Sequence, residues 1–429
     1  MRRNLLSRCA LLTTVAALSL TGCGLGGGDE QASTGRVTGN VKGSITFQTW
    51  NLREKYAEYF NGLVAGFEKE NPGTKVNWVD QPADGYADKL QADAAADALP
   101  DVLNTAPDLA YPLAKAGLLL DLDEAVPEAK MEYLPNAWTG FAAPDGKSGA
   151  SAFPWYLNTG PVFYNKDLFR KAGLDPAKPP TTYGELREAA LTMARASKGR
   201  IAMLGQTPSI EDFGLYGVPL MNSEGTKFTF NDPKGVELVE MYKQLYDAKA
   251  LLPEALTQTY TGSGAKFMAQ QVALSPGSGY DLQNFRTNAP GLYKNVGITK
   301  TITNTGNANM YLQGLSVAAH SKNKGTAIAF ARYVTNAATQ LAFAKIVTIF
   351  PSTAGTLEDP YFTKDDGTDV GRVRVAAAAQ LKTAVNYTPT QLSEQMKDTL
   401  RQELANAMLG KKPVNKALDD AVAKCNELL

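Results

Sequence analysis

The sequence predicts an α/β protein folded as two layered lobes. Three observations predict it. Short β-rich runs alternate with amphipathic helical stripes from residue 44 to residue 116, the rhythm of strands joined by helices over a largely parallel sheet. A second strand-and-helix region follows from residue 157 onward. The chain, at 429 residues and 44% hydrophobic, is also long for one core and apolar enough to build two.

The elements follow in order. Residues 1–22 combine Arg2, Arg3 and Arg8 with an apolar run from Ala10 to Leu20, a secretory signal peptide by pattern. That run is shorter than the roughly 20 apolar residues a permanent span needs. Arg2-Arg3 also fits a loose twin-arginine export motif. Residues 23–43 are rich in Gly, Ser and Thr and read as a flexible tether. Such a coil reaches on the order of 25 Å.

Order begins with a strand over 44–50, which alternates and is β-rich. Tyr56, Tyr59, Phe60, Leu63, Val64 and Phe67 then fall on one helical face, stopped by Asn71-Pro72-Gly73. A strand over 75–79, an alanine-rich helix over 84–98, a short strand over 101–103 and a helix over 109–116 complete the first layer, with Gly117 as a C-terminal cap.

The second region opens with a strand over 157–165 and a helix over 166–172. Thr182 is placed to cap a helix over 183–197. Further helices are expected over 233–249, 324–335 and 414–429, and strands over 272–276 and 315–319. Leu392, Met396, Leu400, Leu404 and Met408 recur every four residues, a helix that packs.

Charge and chemistry narrow the function. Lys plus Arg and Asp plus Glu both number 43, with no basic stripe, which argues against nucleic acid as a partner. The one histidine, His320, sits between a strand-like run and Ser321-Lys322, a surface loop position, so no metal site is expected. Neither a nucleophile elbow nor a zinc motif is present, and no cofactor is expected.

Two resemblances add to this reading. Leu20-Thr21-Gly22-Cys23 resembles the lipobox of bacterial lipoproteins. It implies cleavage before Cys23, lipid on its sulfur, and a protein held at the outer face of the cell membrane. Cys9 then leaves with the signal and Cys425 is left alone, so no intrachain disulfide forms. The segments Phe67-Glu68-Lys69-Glu70-Asn71-Pro72-Gly73, Ala98-Leu99-Pro100-Asp101-Val102, Leu113-Ala114-Lys115-Ala116-Gly117-Leu118, Tyr164-Asn165-Lys166-Asp167-Leu168-Phe169 and Gly410-Lys411-Lys412-Pro413 resemble, in order, the extracellular solute-binding proteins of carbohydrate uptake. That family, which includes the maltose-binding proteins, implies a type II-like periplasmic-binding clamshell. Hinge strands join its lobes, and its ligand is a di- or oligosaccharide handed to the membrane permease of an ABC transporter. A monomer and no catalysis are expected. On this resemblance lobe 1 is 44–158 plus 300–320 and lobe 2 is 163–296 plus 325–429, with crossings near 158–163, 296–300 and Ser321.

A sugar offers apolar faces to aromatic rings and hydroxyls to amides and carboxylates, and open α/β sheets place ligands at the C-terminal ends of strands. The candidates are therefore Trp50 and Asn51 after the first strand, and Asn104, Thr105 and Asp108 after the third. Asp108 reads equally as a helix cap. Trp155, Tyr156 and Asn158 precede the first crossing, and Tyr311 and Gln313 precede the strand at 315. The second lobe offers Glu211 and Phe213, and Tyr280, Asp281 and Gln283 after Gly277-Ser278-Gly279. The resemblance implies that Tyr280 stands where a stacking Trp is common. The rival readings are a receptor for a polyamine, opine or organic acid, an anchored glycoside hydrolase using two carboxylates, and a structural lipoprotein.

Overall fold

A computed structural model describes residues 35–144, 146–257 and 260–429, apart from the side chains of residues 260–263 and Tyr280. The signal peptide, Cys23 and most of the expected tether lie outside the described residues.

Six strands form the first sheet: β1 (Gly43–Trp50), β2 (Thr74–Gln81), β3 (Val102–Thr105), β4 (Phe153–Asn158), β8 (Tyr311–Val317) and β9 (Phe350–Pro351), in the order β2-β1-β3-β8-β4-β9. The expected parallel arrangement holds for the N-terminal strands, since β1 pairs in parallel with both β2 and β3. It ends at β8, which runs antiparallel between β3 and β4. The reason is connectivity. The β1–β3 strands are each followed by a helix that returns the chain, whereas β8 re-enters this sheet from the other lobe.

The second sheet has three strands, β5 (Val162–Asn165), β6 (Leu274–Pro276) and β7 (Val296–Thr299), in the order β6-β5-β7. Here β5 is antiparallel to both neighbours. It arrives directly from lobe 1 with no crossover helix, and it sits between two strands that are themselves joined through the Gly279–Asn288 and Pro290–Tyr293 helices.

The single strand expected over 157–165 is in fact two, β4 and β5, separated by Thr159-Gly160-Pro161. Pro161 has no N–H to donate to a ladder. Gly160 approaches the Gly277 carbonyl so closely that a Cβ would collide with it. The capping signals were legible. Thr182 and Glu185 form a reciprocal capping box on the Tyr183–Ser197 helix. Gly117 takes φ +72 after the Pro107–Lys115 helix.

Two main apolar cores define the lobes. One gathers Phe47, Phe60, Phe67, Trp155, Phe330 and Phe343 around the six-stranded sheet. The other gathers Phe169, Phe213, Phe228, Leu238, Leu400 and Leu418. A smaller cluster with Phe163, Phe267 and Phe285 lies beside the three-stranded sheet. These cores divide the chain differently from the expectation for residues 325–429. Residues from Ala327 to Ala384 contribute mainly to the first core, with Val370 and Val373 packed in the cluster beside the three-stranded sheet, and from Tyr387 onward the chain joins the second. The Lys324–Thr335 helix follows β8 and packs back on the sheet just left, burying Ala327, Ile328, Phe330 and Ala331.

The chain therefore passes between the cores three times, at 159–161, 300–310 and 382–393. The third passage is not near Ser321, whose hydroxyl donates to Asp101 Oδ1 at 2.5 Å within the first lobe. The passages are tied to one another. Thr159 Oγ1 donates to the Asn309 carbonyl at 2.7 Å, and Thr301 Oγ1 to the Gly160 carbonyl at 2.9 Å. Val385 N donates to the Ala308 carbonyl and Met310 N to the Val385 carbonyl, at 3.0 and 2.9 Å. These hydrogen bonds cross-link the three passages into one connected segment between the cores.

Candidate functional site

The candidate site lies where β3 and β4 end and the antiparallel β8 begins. In the antiparallel register Tyr156 lies opposite Gln313, and Asn158 opposite Tyr311. Asn104 lies opposite Leu315, two residues from Gln313 on the same face. Asn104 Nδ2 donates to Gln313 Oε1 at 2.9 Å and to the Gly314 carbonyl at 3.2 Å. The sheet thus sets Asn104, Gln313, Tyr156, Asn158 and Tyr311 in one polar-aromatic row, although Asn104 and Gln313 are 209 residues apart.

Aromatic rings flank the row. Tyr86, on the Tyr86–Ala95 helix, donates its hydroxyl to the Asn104 carbonyl at 2.8 Å, and its ring centroid is 6.3 Å from that of Trp50. Burial pushes the Tyr86 and Tyr156 hydroxyls well above the usual tyrosine range, and the proximity of Tyr86 adds to the rise at Tyr156. Both stay neutral, able to donate and accept hydrogen bonds.

Four buried polar atoms of this region have no hydrogen-bond partner among the described residues: Gln48 Nε2, Asn104 Oδ1, Asn158 Oδ1 and Asn309 Nδ2. Gln48 lies near the Tyr86 hydroxyl without a bond of good geometry. They sit near the ends of β1, β3 and β4 and on the hinge passage entering β8. An unpaired buried polar atom costs about 1–3 kcal/mol, so four in one region mark a surface built to receive other polar atoms.

The remaining candidates fall elsewhere. Trp155 does not face the cleft. It is 1% exposed, stacked on Phe343 at 5.6 Å and edge-on to Phe60 and Phe47. The register of β4 shifts between Pro154 and Tyr156, and the two neighbouring rings stay in contact, centroids 5.1 Å apart; Trp155 is buried in the core, while Tyr156, also packed on Phe343, is half-buried with its hydroxyl near Tyr86 at the row. Phe213 is likewise core, fully buried against Phe230. Thr105 is buried, its hydroxyl bonded to that of Ser316 at 2.8 Å. Asp281 is consumed by the capping box of Ser278. Gln283 is exposed and accepts from Arg286. Asn51 is exposed, at φ 54. Tyr311 is 55% exposed, at the open end of the row. Glu211 Oε1 accepts from Thr388 Oγ1 at 2.6 Å, which ties the Ile210–Tyr216 helix to the third hinge passage. The side chain of Tyr280 lies outside the described residues. His320 sits at the surface, 3.9 Å from Asp97.

Asp108 does not cap its helix. It stands in the first turn of Pro107–Lys115, whose N-cap is Ala106, and pairs with Lys397 at 3.0 Å. The Pro107–Lys115 helix packs in the first core and the Glu394–Met408 helix in the second, so this ion pair bridges the lobes. Pro144 against Gly225, and Thr348 against Gly279, are two more contacts between lobes.

Sequence reasoning missed Gln48, Tyr86, Asn309 and Lys397. Gln48 has a weak signal, a polar residue inside a strand between Phe47 and Trp50. The other three carry none, because each matters only through partners distant in the chain.

Two lobes with separate cores, three hydrogen-bonded crossings and a polar-aromatic row at the strand ends define a two-lobed binding protein. The chain belongs to the bacterial extracellular solute-binding protein family, which it matches over residues 52–341. Among curated relatives it is similar to the sn-glycerol-3-phosphate-binding periplasmic proteins of Salmonella typhimurium (25% identical, 91% of this chain and 94% of the relative) and Escherichia coli K12 (26%, 92% and 94%). Among solved structures it is similar to a periplasmic-binding protein of Synechococcus sp. MITs9220, provisionally assigned to oligosaccharides (27% identical, TM-score 0.79, 89% of this chain and 98% of that one). It also resembles the GacH receptor of Streptomyces glaucescens, solved with acarbose (23%, TM-score 0.71, 90% and 98%), an identity that speaks for the fold alone. Among the described residues no helix is long and apolar enough to cross a membrane.

Proposed function

We propose that this protein is a lipid-anchored receptor that binds a di- or oligosaccharide between its lobes and passes it, unchanged, to the membrane permease of an ABC transporter. The observation that carries the reading is the row of Asn104, Gln313, Tyr156 and Asn158 beside the Trp50 and Tyr86 rings, with the Asn104 and Asn158 amide oxygens unpaired. Amides bond sugar hydroxyls in both directions, and rings cover the apolar sugar face. The membrane attachment is Cys23, supported by the lipobox resemblance. The protein works as a monomer, without nucleic acid or cofactor. Ligand held by both lobes favours the closed form by its differential affinity for it, and the permease reads that form.

A second reading is an anionic solute, favoured by the names of the glycerol-phosphate-binding relatives. A phosphate needs an available cation or an array of donors. Lys397 bridges the lobes among the described residues, and Asp108 and Glu394 already hold it at 3.0 and 2.8 Å. Calorimetry of the purified protein against a saccharide panel and sn-glycerol 3-phosphate separates the two. Saccharide binding with recovery of intact sugar supports the proposal; phosphate binding alone, or cleaved sugar, overturns it.

A further inference from the structure

We propose that Lys397 is a positioning residue, a latch that forms only when the lobes meet and then fixes the Asp108 carboxylate at the rim of the cleft. This rests on the interlobe reading of the binding site but on different observations.

Geometry makes the first part of the case. Asp108 lies on a helix whose Ala110 and Leu113 are buried in the first core, and Lys397 on a helix whose Met396, Leu400 and Leu404 are buried in the second. Two rigid supports therefore carry the two ends of one 3.0 Å contact, and separation of the lobes by a few ångströms must break it. The second part is enclosure. The side chains are 18% and 27% exposed, so the pair is screened less than surface ion pairs such as Arg36–Glu128, at 66% and 48%. Breaking it in place leaves a half-enclosed carboxylate facing a lysine that keeps only Glu394. The third part is distribution. Of the other contacts between lobes, Pro144–Gly225 and Thr348–Gly279 supply shape and the Tyr293 hydroxyl donates to the Asp369 carboxylate, but none of these pairs two opposite charges. Asp108–Lys397 thus adds a directional, ionic term to closure, and Lys397 reaches Asp108 only from the opposite lobe.

The test is single-molecule energy transfer in the protein without added ligand. One dye sits on the Arg53–Glu70 helix and one on the Pro233–Asp247 helix; Cys425 is buried and does not compete for label. Asp108→Asn and Lys397→Met are each expected to lower the closed-to-open ratio about fivefold. Their effects should not add in the double variant, because either change removes the same contact. Lys397→Arg should retain most of the closed population, and thermal midpoints should stay close to wild type. An unchanged ratio in Lys397→Met, additive losses in the double variant, or a wild type with no closed population would overturn the proposal. Failure of every saccharide to bind would overturn the proposed function and leave this ratio to judge the latch.

Discussion

Asn104 on β3 donates its amide nitrogen to Gln313 on β8 at 2.9 Å, and its amide oxygen is left buried without a partner. One half of the side chain is anchored by the sheet and the other half is offered. The same division recurs at Asn309, whose Oδ1 accepts from Tyr387 N at 3.0 Å while its Nδ2 is unpaired. Amides held at one end are pre-oriented for a ligand, which lowers the entropy cost of binding.

Asn104→Ala should therefore weaken saccharide binding by more than tenfold, with loss of the bond to Gln313 as well as the free oxygen. Calorimetry with the tightest-binding panel member checks it, and a thermal midpoint within a few degrees of wild type shows that the fold survives.

Trp155→Ala should behave in the opposite way. Trp155 packs on Phe343, Phe60 and Phe47, so truncation opens the first core and costs about 3–5 kcal/mol of stability. Chemical denaturation reads this directly. Any loss of affinity should track the unfolded fraction.

Alkaline titration tests the enclosure of the row. Burial raises Tyr86 and Tyr156 above the unfolded tyrosine value, so the folded state keeps its protons longer. Their contribution to stability is complete below about pH 10 and is lost as pH climbs beyond it. Phenolate absorbance should show a class of tyrosines that ionise only together with unfolding, and Tyr156→Phe should shrink that class.

Cys23→Ala should move the protein from the membrane fraction of expressing cells to the soluble fraction or the medium. Fractionation with detection of the C-terminal helix checks it. Retention in the membrane would remove the lipid anchor from the account.

Much of the fold was legible because local chemistry dictated it. The Tyr56–Phe67 stripe, the Thr182 N-cap and the four-residue apolar repeat from Met396 to Met408 formed as their spacing required, with Leu392 standing just before its helix. The site was legible by position only. Asn104, Tyr156, Asn158, Tyr311 and Gln313 could be nominated as strand-end residues, and the register of β3, β8 and β4 brings them together. That Trp155 is fully enclosed while the adjacent Tyr156 stays half-buried at the row depends on distant packing partners, which leaves no mark in composition. The division of residues 325–429 between cores was hidden too, because apolar stripes say that a helix packs but not on which sheet. Lys397 carries no signal in the sequence, because its partner stands 289 residues away.

The most direct test of the central claim is calorimetric titration of wild type and Asn104→Ala/Asn158→Ala with a panel of neutral di- and oligosaccharides, followed by chromatography of the recovered sugar. The account predicts saturable one-site binding by wild type, at least a hundredfold loss in the double variant with an unchanged thermal midpoint, and intact sugar afterwards. Equal affinity in the two proteins, or binding confined to sn-glycerol 3-phosphate, would contradict it.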